Sequence, residues 1–141
     1  MRALTIRQPW IAAIVQADKR IENRVWSTRY RGPILLHSSR SVDRIALRHP
    51  PLAAVLGTLT LHRGAVVGTA RITDCHPNTC GACTPWSAAR QYHLALDEVR
   101  ALPRPVPWRG ALGLWVPPPV LLDRVRQQLG DLGDEDQGAT A

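Results

Sequence analysis

Between residues 19 and 24 the chain reads Lys-Arg-Ile-Glu-Asn-Arg. Lys19 and Glu22 are three apart, and Arg24 lies two beyond the carboxylate. On a helix, Lys19 and Glu22 share a face. Two readings fit that spacing. One is a solvated ion pair worth roughly 0.2–0.5 kcal/mol. The other is a carboxylate gripped between two cations. Such a group can accept from a base amino group, activate a water or hold a divalent metal, while the flanking cations take phosphates.

Other residue types nearby could share that work. Arg7, Arg29 and Arg31 are candidate phosphate contacts, with a solvated surface as the alternative for each. Trp10, Trp26 and Tyr30 offer ring faces, and stacking on a base is worth about 1–3 kcal/mol. One of the three is expected to line a cleft, Trp26 or Tyr30 ahead of Trp10. His37 closes a short apolar run and is expected to be a hydrogen-bonded core histidine rather than a base. Cys75-His76-x3-Cys80-x2-Cys83 contains a natural chelating pair. Cys75, Cys80 and Cys83, completed by His76 or His93, are candidate zinc ligands. Adjacent Cys75 and His76 fit poorly as joint ligands, and a loop of reduced thiols is the alternative. No cofactor is required by this reading. Zinc at the Cys loop and a divalent metal near Glu22 are the two candidates.

The chain that must position these groups has 141 residues, enough for one domain with a core that needs no disulfide. Its net charge is +7, and residues 1–48 alone carry ten cations against three acids. Such a surface attracts polyanions. Seventeen of the eighteen cations are Arg, however, so composition alone would not decide for nucleic acid. Four acids fall in the last eleven residues, and 130–141 reads as an acidic tail expected to be disordered. No apolar run reaches the length of a membrane span, and the N-terminus lacks the pattern of a secretion signal. A cytoplasmic monomer is therefore expected, away from membranes, with its three Cys reduced.

Residues 2–7 alternate as a strand, and Pro9 opens an apolar helix that ends near Ala17. Lys19, Glu22 and Arg24 then fall at the exit of that helix or in the turn after it. Residues 25–30 suggest a strand, and 34–37 a buried one. Ser41 is placed to cap a helix over 42–48 that Pro50-Pro51 would break. A further short helix over 52–61 is expected, then a strand over 65–73 and a loop over 74–86. Residues 92–102 alternate like a strand but tolerate helix. Pro103, Pro105 and Pro107 make an extended approach to a strand over 110–116, and 120–129 is amphipathic. Five or six short strands with two to four short helices indicate an α+β chain built on a small mixed β-barrel.

Lys19-x-x-Glu22-x-Arg24 resembles the G-x-K-x-x-E-x-R motif of the ASCH (activating-signal-cointegrator homology) family, with Ala17 at the glycine position. The flanking blocks support the resemblance in order. They are Ile6-Arg7-Gln8-Pro9-Trp10, Trp26 to Pro33, the 34–39 run, Val67 to Cys75, Tyr92-His93-Leu94 and Arg109 to Trp115. The resemblance implies a PUA-like fold over residues 1–129 and a cleft beside the motif that faces nucleic acid. A domain that binds RNA or single-stranded DNA is the leading expectation, with Lys19, Glu22 and Arg24 as the floor of the cleft. The alternative is an enzyme acting on RNA or a modified nucleoside, with Lys19 and Glu22 as its catalytic pair. Asp74 is the one other acid in a matching block. Relatives that hydrolyse N4-acylated cytidine carry a threonine nucleophile where this chain has Glu22, so that activity loses its nucleophile here. A third reading is a protein-interaction module using the Cys loop and the proline-rich stretches.

Overall fold

A computed structural model describes residues 1–78 and 84–130. Six strands form one curled, half-barrel sheet, carried by three α-helices and two 3-10 turns. In chain order they are β1 (Arg2–Gln8), α1 (Trp10–Gln16), β2 (Ile21–Arg24), β3 (Gly32–Val42), α2 (Pro50–Val55), β4 (Ala65–Pro77), β5 (Tyr92–Pro107), β6 (Leu114–Trp115) and α3 (Pro119–Leu129). The sheet order is β2-β5-β4-β3-β1-β6. Only β1 and β3 run parallel, and the other pairs are antiparallel.

The short helix α1 buries Ile11, Ala12, Ala13 and Ile14, and Ile11 and Ile14 join the core of Leu4, Ile6, Leu36 and Ile72. Its start is held by the Gln8 side chain, whose Oε1 accepts from the Ala12 N–H at 3.1 Å. Its end is held by the Arg20 guanidinium, which donates from Nη1 to the carbonyls of Ile14, Ala17 and Lys19 at 2.9–3.2 Å. A cation there satisfies orphan carbonyls and the negative end of the helix dipole. Arg20 is thereby a structural residue. Ala17 stands at φ −125°, ψ −153°. That is extended backbone, which alanine adopts without strain, so the motif's glycine is not needed for this turn.

Several expectations shift at this level. Lys19 falls in the turn after α1 as expected, but Ile21–Arg24 form the edge strand β2, paired with β5 through Ile21↔Ala95 and Glu22↔Leu94. Residues 25–30 are irregular rather than a strand. Asp43, not Ser41, caps the turn after β3, accepting from the Ile45 N–H at 3.1 Å. Pro50-Pro51 opens α2 rather than breaking a helix, since proline's missing N–H costs nothing in a first turn. Pro103, Pro105 and Pro107 lie within β5, beyond the part that β2 pairs. There the strand faces α3, and the Gln128 side chain accepts from the Arg104 N–H at 2.8 Å. β6 is reduced to two residues.

A second core cluster joins α3, through Leu121 and Val125, to Leu35, Val66, Leu102 and Val106 of the sheet. A third places Trp86 against Ala13, Ala46 and Leu52. Between β2 and β1 no ladder forms. The Arg24 guanidinium crosses the gap instead, donating from Nη2 to the Thr5 carbonyl at 2.7 Å. The acidic tail from residue 131 and two of the Cys residues, Cys80 and Cys83, lie outside the described residues.

Candidate functional site

The gap between β1 and β2 opens into a cleft of about 350 Å³. Thr5, Ile6 and Arg7 line it from β1, and Glu22, Asn23 and Arg24 from β2. Lys19 lies in its floor, Asp43 and His49 in the wall beyond β3, and residues 86–91 close it from above β5.

The floor is charged and buried. Lys19 is 1% exposed and Glu22 6%. The Lys19 ammonium donates to Glu22 Oε1 at 2.9 Å and to the Ile21 carbonyl. Arg24 Nε stands 3.1 Å from Glu22 Oε2, an ion pair without the alignment of a hydrogen bond. Each carboxylate oxygen thus faces one cation, and the guanidinium also donates from Nη2 to the Thr5 carbonyl. A buried charge needs such partners, because its desolvation is otherwise uncompensated.

One wall is aromatic. The rings of Trp10 and His49 meet at 5.4 Å, and those of His49 and Trp86 at 5.5 Å. The Lys19 ammonium lies 5.8 Å from the Trp10 ring, close enough for a cation–π attraction. Carboxylates fix both indoles. Trp10 Nε1 donates to Asp43 Oδ2 at 2.9 Å, and Trp86 Nε1 to Asp18 Oδ1 at 3.2 Å. The Trp10 bond is the main reason the Asp43 carboxyl sits below its ordinary range. His49 Nε2 is buried with no hydrogen bond among the described residues. Asn23 ties the loop carrying Trp86 to β2, donating to the Trp86 carbonyl at 2.9 Å and accepting from the Ala88 N–H at 2.8 Å.

Of the residues singled out from the sequence, Arg7, Lys19, Glu22, Arg24 and Trp10 line this cleft. Trp26, Arg29, Tyr30 and Arg31 do not. Tyr30 is 3% exposed, and its hydroxyl donates to the Pro33 carbonyl at 2.6 Å, so its ring belongs to the core. Arg31 is spent on the turn before β3, donating to the Thr28 and Tyr30 carbonyls. Trp26 lies under Arg24 at 5.8 Å, on the outer side of that residue. Asp74 also stands apart from the cleft, where His76 is the chief partner depressing its carboxyl. Asp43, His49, Asn23 and Trp86 were not anticipated as site residues. The sequence marks Asp43 only as an acid in the first turn of the helix expected over 42–48, and Trp86 only as the end of the loop expected over 74–86.

His37 is a satisfied core residue, 2% exposed. The Trp108 carbonyl, 2.6 Å from Nε2, can only accept, so Nε2 carries the proton. Nδ1 then accepts from the Thr5 hydroxyl at 3.2 Å, while Thr5 Oγ1 accepts from Trp115 Nε1 at 3.0 Å. Among the described residues no three His, Cys, Asp or Glu side chains gather closely enough to hold a metal. No helix among them is long and apolar enough to cross a membrane.

A curled mixed half-barrel with short helices and a charged cleft beside its edge strand defines a PUA-like domain. The family model for the ASCH domain matches residues 4–111, from β1 through the loop before β6, and the chain belongs to that family. No curated protein matches it.

Proposed function

We propose that this domain binds single-stranded nucleic acid, RNA or DNA, by seating one base in the cleft between β1 and β2. The observation that carries the reading is the joining of two features in one hollow of about 350 Å³. A buried Lys19–Glu22–Arg24 floor offers donors and an acceptor at fixed positions, and the Trp10–His49–Trp86 wall offers ring faces. A base needs both, edges to be hydrogen-bonded and a face to be stacked. Arg7 at the rim and the excess of Arg over the surface supply attraction for the backbone. The family's PUA-like fold agrees with this reading.

Glu22 suits recognition: each of its oxygens faces one cation, which holds the carboxylate in place and leaves each oxygen a further lone pair to accept from a base edge. Labelled single-stranded RNA and DNA titrated at two salt concentrations test the proposal. Binding that weakens linearly in log[salt] is expected, at about 0.7 per phosphate contacted on a single strand. Absence of binding at low salt, or binding with no salt slope, would refute it.

A further inference from the structure

Beyond Thr5 lies a second hollow, of about 620 Å³. Thr5 lines it as well as the cleft, so the two hollows meet at this residue, which forms a partition between them. The partition is stiff. Thr5 is held through its carbonyl by Arg24 and through its hydroxyl by His37 and Trp115.

The far side differs in chemistry from the cleft. Arg40 and Arg109 line it, and no carboxylate does. Among the described residues, neither guanidinium pairs with an acid. The Arg40 side chain and the Arg109 backbone are placed by the fold. Gly64, at φ +66°, lets the Arg40 side chain lie across it, with Cγ and Nε only 3.3 Å from where a Cβ would stand. Arg109 sits between two anchored neighbours. The Trp108 N–H donates to the Gly64 carbonyl at 3.1 Å, and Gly110 packs so closely on Thr5 and His37 that a Cβ would come within 2.6–2.8 Å of them. Trp108 and Leu112 supply an apolar side wall, and Leu112 is 98% exposed. Two cations with no acid beside them among the described residues, next to an apolar wall, suit a sugar–phosphate backbone.

We infer that this hollow is a second subsite on the same strand, in which Arg40 and Arg109 take the phosphodiester groups next to the base held in the cleft. The inference rests on the nucleic-acid reading of the cleft. It assigns the two hollows different duties, the cleft holding a base and this one holding the chain.

The test compares the wild type with Arg40→Ala/Arg109→Ala, using a nucleoside, which lacks a phosphate, and a labelled single-stranded hexanucleotide over a salt series. A second pair, Arg44→Ala/Arg104→Ala, removes two exposed cations that line neither hollow. The subsite pair should lower the hexanucleotide's log–log salt slope by about 1.4, twice the 0.7 per phosphate of a single strand. It should leave nucleoside affinity unchanged, and the second pair should change the slope far less. An unaltered slope in the subsite variant, or an equal drop in both pairs, overturns the subsite while leaving the cleft reading intact. Failure of the wild type to bind either probe overturns both.

Discussion

Glu22 is the residue on which the floor of the cleft depends, and Glu22→Gln isolates its charge. The amide keeps the shape and one acceptor oxygen, so Lys19 can retain a hydrogen bond. What it loses is the anion facing an ammonium at 2.9 Å and a guanidinium at 3.1 Å. Lys19 is 1% exposed and cannot recover that loss from water. Arg24, with a side chain 22% exposed, recovers part of it. Removing one partner of a fully buried pair costs about 3–5 kcal/mol, and discounting for the part-exposed arginine leaves about 3 kcal/mol. Urea unfolding followed by far-UV circular dichroism reads this directly. At a slope near ~2 kcal/mol per molar, the midpoint should fall by about 1.5 M. A double variant, Lys19→Met with Glu22→Gln, removes the stranded ammonium and should be more stable than Glu22→Gln alone. A cost below about 1 kcal/mol, the level of an exposed pair, would refute the reasoning. So would strict additivity of the two substitutions.

Three further outcomes follow from the geometry. Trp10→Leu keeps an apolar group at the start of α1 but removes a ring, so single-stranded binding should weaken by about 1–3 kcal/mol, read by anisotropy on the folded protein. Burial holds His37 below the ordinary imidazole range, outweighing the upward pull of its bond to the Trp108 carbonyl. The unfolded chain then takes up a proton near pH 6.5 that the folded one resists, so this stability is full above that pH and is lost as pH falls. The unfolding midpoint should drop more between pH 7 and pH 5 in the wild type than in His37→Gln; equal drops would remove His37 as the cause. Gly68→Ala would put a Cβ 2.6 Å from the Arg100 carbonyl oxygen of β5 and 3.2 Å from a Val15 methyl. Backbone must move there, at about 2 kcal/mol, and the thermal midpoint should fall by several degrees.

Local pattern made part of this structure legible. The apolar spacing after Pro9 marks α1, alternation marks β1, the apolar residues from Ala65 mark the start of β4, and the amphipathic 120–129 run marks α3 to within a residue. β2 is different. Its two buried residues, Ile21 and Glu22, are adjacent, so no alternation announces a strand. Its conformation is set by pairing with β5, some seventy positions away. Spacing did place Lys19 beside Glu22, though through a turn and a strand rather than a helical face. The aromatic wall was hidden for the same reason as β2. Trp86 reaches the cleft because Asn23 clasps its loop, a contact between residues 63 apart that no local signal encodes. Tyr30 misled because a tyrosine near charged residues looks available, whereas its hydroxyl has found a carbonyl and its ring the core.

The Arg24 bridge to Thr5 has a consequence for how this protein responds to whatever fills the cleft. β1 and β2 are walls joined by a side chain where a closed barrel would have a backbone ladder. A molecule touching both walls acts as a rivet across that seam. Occupancy and rigidity then become one quantity: at a hundred times its dissociation constant the occupant adds about 2.7 kcal/mol to the folded state. Amide protons of the edge strand should slow their exchange as the seam tightens. A thermal-shift screen of nucleotides would therefore report on the cleft without any assay for activity.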